Sequence, residues 1–243
     1  MCTVTWLRST TGYELFCNRD ETLTRPAAEP PAHYETNSIR YIAPIDPCGG
    51  GTWIGTNQSG LTLCMLNFYA DGVLYAPADR QSRGRLLTAL LANPTPEAAV
   101  DTARGTPLEH YPPFLLLAIS GTGPVRNLTW DGESAVVGQW ADSEQPVTTC
   151  SVDTERVLES RRETYRKLLQ ATPSPARSDL TSFHASHDPQ ASAYSVCTHR
   201  DDAETRSFSH VIVDEERIEL RYAGCPPCRM SPADVVSTVI PRQ

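Results

Sequence analysis

Cys2 directly follows Met1, and a side chain this small lets methionine aminopeptidase expose it. The shortened chain would then carry a thiol and a free α-amine on one residue. Their ordinary pKa values are about 8.5 and about 7.7–8.0, so the amine can take the thiol proton at neutral pH. A thiolate attacks carbonyl carbon well, and the same amine, directly or through one water, can return the proton to a leaving amine. This chemistry requires no histidine.

The surrounding residues supply a frame for it. Thr3-Val4-Thr5-Trp6-Leu7 has strand composition, Ser9-Thr10-Thr11-Gly12 is a turn cluster, and Tyr13-Glu14-Leu15-Phe16-Cys17 resumes the strand. With the turn centred near Thr10 and Thr11, partner numbers across the hairpin sum to about 21 or 22, which sets Cys2 opposite Arg19 or Asp20. A guanidinium near the sulfur would lower its pKa, and a carboxylate would hold an ammonium in place. Taken alone, the same residues also fit a small buried strand residue beside a solvated charge run, Arg19-Asp20-Glu21.

The segments Met1-Cys2, Cys17-Asn18-Arg19-Asp20-Glu21 and Gly50-Gly51-Thr52-Trp53-Ile54-Gly55, followed by Gly60-Leu61 and Asn67, resemble the NRDE family. That family includes transport-and-Golgi-organisation protein 2 homologues and is similar to the N-terminal-nucleophile (Ntn) hydrolases. The likeness is densest in the N-terminal third and returns near residues 205–213. It implies an α+β fold, a four-layer αββα sandwich of two mainly antiparallel sheets. It further implies that Cys2 is the nucleophile and, through its amine, the base, with Asp20 positioning the amine and Arg19 tuning the thiolate. Asn67 ends an apparent strand; its amide suits either an oxyanion donor or a strand-ending turn, and the resemblance favours the donor. Arg206, in Thr205-Arg206-Ser207, is the late arginine expected to add positive potential, with Arg200 as competitor.

The resemblance therefore implies hydrolysis of a small non-peptide amide through an acyl-thioester, or acyl transfer from the same thioester. A non-catalytic module that binds a small molecule or partner in the same cleft is the alternative, and retention of Met1 would support it.

Length and composition bound these readings. The chain has 243 residues, enough for a substantial core, and reads as one domain over 1–243. A net charge of −8 opposes binding to a phosphate backbone, so nucleic acid is not an expected partner. The basic cluster Arg161-Arg162 with Arg166-Lys167 is interleaved with Glu155, Glu159 and Glu163 at helical spacing and reads as a solvated helix face. No apolar stretch approaches the ~20 residues of a membrane span, and no signal peptide is evident. A cytoplasmic location with reduced cysteines is expected.

Along the chain, Arg25-Pro26 to Pro31 reads as a proline-rich surface connection and Gly49-Gly50-Gly51 as a structural turn. Strands are expected at 52–55, 61–67, 114–119, 125–130, 135–139, 147–150, 193–198, 205–213 and 217–222. Helices are expected from Ser82 to Asn93, from Pro96 through Val100, over 153–170 and over 178–185.

Cys225-Pro226-Pro227-Cys228 invites a redox or zinc reading. Zinc would need two more ligands, for which Cys197 and His199 give a Cys3His set, but there is no second C-x-x-C. His184 and His187 lack a third ligand at metal spacing and read as polar surface residues. The expectation is no metal and no cofactor.

Overall fold

A computed structural model of the chain describes residues 2–69 and 80–243, so Met1 lies outside the described residues. The chain opens with β1 (Cys2–Arg8) and β2 (Tyr13–Thr22), then β3 (Glu29–Thr36), β4 (Ile39–Ile45), β5 (Ile54–Asn57) and β6 (Thr62–Asn67). Helices α1 (Arg83–Leu90) and α2 (Pro96–Arg104) follow, and then β7 (Phe114–Ile119), β8 (Val125–Trp130), β9 (Ala135–Trp140) and β10 (Val147–Thr149). Helices α3 (Thr154–Ala171) and α4 (Arg177–His184) precede β11 (Ala203–Val213), β12 (Arg217–Ala223) and β13 (Val235–Pro241).

The strands form two antiparallel sheets, one ordered β10-β1-β2-β11-β12-β13 and the other running from β3 to β9 in sequence. Side-chain alternation decides how they stack. On β1, Cys2, Val4 and Trp6 join Leu15 and Cys17 of β2 in a core shared with Ile54, Cys64 and Leu117 of the other sheet. The opposite face of the first sheet buries Phe16 and Phe208 against Tyr165, Leu180 and Phe183 of α3 and α4. The outer face of the second sheet packs Leu63, Phe114 and Leu116 against Leu87, Leu90 and Val100 of α1 and α2. Helices thus cover both outer faces, giving the expected four αββα layers.

Three expectations need correction. The proline-rich connection contains β3, an edge strand that accommodates Pro30 and Pro31 at an irregularity between Glu29 and Ala32. Neither β4, which lies beside β3, nor β13, which closes the other sheet at its edge, is expected from the sequence. Residues 193–198 are buried but not a strand: Ser195 Oγ donates to the Cys197 carbonyl at 2.6 Å and accepts from the Ser192 amide, local bonds that replace a ladder.

Candidate active site

The hairpin turn fixes the pairing sum at 21, placing Cys2 directly opposite Arg19. Both open into a cleft of about 920 Å³ at the end of the sandwich, lined also by Asp20, Asp46, Trp53, Asn67 and Arg83. The cleft thus gathers Cys2, Arg19, Asp20 and Asn67.

Alternation divides the work of the five residues from Cys17 to Glu21. Cys17 faces the inter-sheet core with Cys2. Asn18 faces the helices, where its amide donates to the carbonyls of His184 and Val196 at 2.9 and 3.0 Å. Its Oδ1 lies 3.1 Å from His184 Nδ1, which therefore carries the proton, and Thr5 Oγ1 donates to Nε2 at 2.8 Å. His184 is fully buried and neutral, its pKa pushed down to about 3, chiefly by burial. This corrects the expectation of a surface histidine.

Arg19 reaches along the cleft to Asp46 Oδ2 at 2.5 Å, with Glu21 at 3.5 Å, and its guanidinium lies 4.4 Å from the Trp53 ring centroid. Asp46 also takes a hydrogen bond from Arg25 at 2.8 Å, and its other oxygen accepts the Cys48 amide at 2.9 Å. Burial would raise the Asp46 pKa, but Arg25 and Arg19 outweigh it and hold the carboxylate below its ordinary value. The glycine run is a turn, as expected, and one that shapes the cleft. A Cβ on Gly51 would fall 2.2 Å from the Gly84 carbonyl carbon, so only glycine permits the approach that brings the start of α1 to the turn.

Asp20 is fully buried on the helix-facing side. Oδ1 accepts from Thr205 Oγ1 at 2.6 Å, and Oδ2 from Thr198 Oγ1 at 3.0 Å. Behind them lies Arg161 of α3, also fully buried, with Nη2 3.6 Å from Asp20 Oδ2. Arg161 donates to Thr3, Thr148, Thr198 and the Ala193 carbonyl at 2.7–3.0 Å. The solvated reading of this basic cluster therefore fails at Arg161.

The Cys2 thiol is buried and its pKa is raised well above the ordinary value, first by its hydrogen bond with Cys17 and then by burial. With Met1 attached, the sulfur is thus held protonated. Arg19, expected to tune this thiol, pairs its guanidinium with Asp46. Asn67 ends β6 at the cleft, where its amide donates to the Tyr69 hydroxyl at 3.0 Å.

Arg206 is not among the cleft-lining residues. It is the extra residue of a bulge between Thr205, opposite Asp20, and Ser207, opposite Arg19. Its guanidinium pairs with Glu204 at 2.9 Å, and Arg200 binds Asp202 at 2.7 Å. Sequence reasoning missed Arg83, which opens α1 at the cleft and donates to the Pro113 carbonyl at 2.7 Å. Burial lowers its pKa.

The sequence profile of the family described as Transport and Golgi organisation 2 matches residues 1–217. No curated protein matches the chain in sequence. Among solved structures, a Caenorhabditis elegans ortholog of N-acylethanolamine-hydrolyzing acid amidase superposes with a TM-score of 0.61 at 11% identity, over 99% of this chain and 100% of that one. Penicillin V acylase from Agrobacterium tumefaciens gives 0.56 at 12% identity, covering 92% and 83% respectively. A variant of conjugated bile acid hydrolase from Clostridium perfringens gives 0.56 at 11% identity, covering 100% and 97%. The common architecture is the Ntn-hydrolase fold. Among the described residues, no helix is long and apolar enough to cross a membrane.

Proposed function

Because the chain belongs to the Transport and Golgi organisation 2 family and carries its cleft on an Ntn-hydrolase fold, we propose that it is a cysteine amidohydrolase acting on small non-peptide amides. The observation that carries this reading is the meeting of Cys2, Asp20 and Asn67 in one cleft, with Asp20 braced by Thr198, Thr205 and Arg161.

Removal of Met1 gives Cys2 the amine that this chemistry needs. The thiol proton passes to the amine, and the sulfur forms a bond to the substrate carbonyl carbon. The electron pair moved onto the carbonyl oxygen is stabilised by the Asn67 amide. Collapse breaks the C–N bond as the leaving amine takes the proton, leaving an acyl-thioester. Water then attacks, and the carboxylate and free thiol are restored. An amine acceptor in place of water gives acyl transfer by the same steps.

Asp20, buried but held by two hydroxyls and a guanidinium, is suited to orient an ammonium at the strand start. Arg83 supplies the cationic contribution expected of Arg206, which makes the cleft suited to acyl groups bearing a carboxylate. Incubation with a panel of N-acyl amides, quenched in acid for intact-mass analysis, tests the reading. The expected result is turnover with an acyl adduct on the N-terminal peptide, absent in Cys2→Ala. Equal turnover by Cys2→Ala would overturn it.

A further inference from the structure

His187, Cys197, His199 and Cys228 bring four ligand atoms within 4.8 Å of one another, outside the cleft. We propose that they form a Cys2His2 site for a zinc-type divalent ion. In a tetrahedral site with Zn–S of about 2.3 Å and Zn–N of about 2.0–2.1 Å, neighbouring ligand atoms lie roughly 3.3–3.8 Å apart. His199 Nε2 lies 3.6 Å from Cys197 Sγ and 3.3 Å from Cys228 Sγ. The His187 ring meets that of His199 edge to face, with centroids 4.9 Å apart. Two sulfurs and two imidazoles suit zinc and not the oxygen-seeking magnesium or calcium.

The ligands come from separate segments, which is why their spacing gave no signature. His187 and Cys197 lie at the two ends of the loop after α4, drawn together by the Cys197 amide donating to the Ser186 carbonyl at 3.0 Å. Cys228 sits in the 3-10 turn Pro227–Arg229 between β12 and β13. The Cys3His set considered from sequence is thereby revised: His187 replaces Cys225. The second nitrogen of His199 has Glu204 Oε2 at 3.9 Å and Arg229 Nη2 at 3.4 Å.

The site also bears on the cleft, a coupling that rests on the reading proposed above. Thr198, whose hydroxyl donates to Asp20, lies between the ligands Cys197 and His199. Its amide donates at 2.9 Å to Thr205 Oγ1, the second hydroxyl on Asp20. An ion at this position would hold both hydroxyls against the carboxylate.

The test uses the full-length protein, purified without chelator and analysed for metal by mass spectrometry, then stripped under reducing conditions and titrated with Zn2+ and Co2+. The expected result is about one equivalent of zinc per chain, with the sulfur-to-cobalt charge-transfer and visible bands of tetrahedral thiolate coordination. Cys228→Ser should abolish the bands, Cys225→Ser should leave them intact, and His187→Ala should weaken binding at least about tenfold. His187 is exposed, so its variant keeps the test decisive if Cys228→Ser does not fold. Reduced protein that binds neither ion, or full binding by both His187→Ala and Cys228→Ser, overturns the proposal. Metal binding without amide turnover would leave this site standing and sink the catalytic reading; turnover by a protein that binds no metal would do the reverse.

Discussion

Cysteines meet in two different settings in this molecule. Cys2 and Cys17 meet inside the core between the sheets, where each sulfur faces apolar side chains and another thiol. Cys197 and Cys228 meet beside the end of α4, where both face the ring of His199. In the first group a shared hydrogen bond and burial raise the Cys2 thiol pKa, so the proposed reaction needs a base at that sulfur. In the second, imidazoles complete the donor set of the proposed metal site. Sulfur chemistry is thus set by its neighbours, and neighbours are set by which strand face or loop end the chain presents.

The largest expected effect comes from Cys2→Ala, which should lower turnover by a factor on the order of 10³ or more while leaving cleft binding nearly unchanged. Steady-state kinetics beside ligand titration would check both halves. Arg161→Met leaves the Asp20 carboxylate buried without its guanidinium, and a loss of about 3–5 kcal/mol in urea unfolding is expected. Asp20→Asn in the same chain should recover part of that loss, because no buried charge then remains at the pair.

Asn67→Ala should lower kcat by a factor on the order of 10² with little change in unfolding midpoint, as expected for an oxyanion donor at a strand end. Equal loss of kcat and stability would assign Asn67 to the turn instead. The smallest expected effect concerns pH. His184 has a folded pKa of about 3 against an ordinary value of about 6.5, so the unfolded chain binds the extra proton between these limits. Stability should fall as pH drops from about 6.5 toward 3, and His184→Gln should flatten that slope in urea midpoints measured from pH 7 to 5.

The hairpin was legible in the sequence because strand composition and a turn cluster fix register within one residue, and the register sets Cys2 against Arg19. Arg161 was obscured by the glutamates around it. The signal for it was its place four residues from both Val157 and Tyr165, the buried positions of α3, so an arginine on the apolar face was the clue. β3 was hidden by Pro30 and Pro31, which an edge strand tolerates where a central strand does not. Arg206 was expected at the site because Thr205-Arg206-Ser207 resembles the family's late segment; a bulge, invisible to alternation, turns it toward Glu204. Asp46 and Arg83 reach the cleft through a glycine turn and a helix start, so only the folded chain places them beside Cys2.

In the proposed reaction Cys2 carries both the reacting thiol and the amine that activates it. Brief iodoacetamide treatment of the native protein across a pH series, read by peptide mass spectrometry, tests both at once. The expected result is a mature N-terminus at Cys2 and alkylation of that residue at lower pH than any of the other seven cysteines. Retained Met1, or a Cys2 that stays inert while the others react, would contradict it and leave the cleft as a binding site.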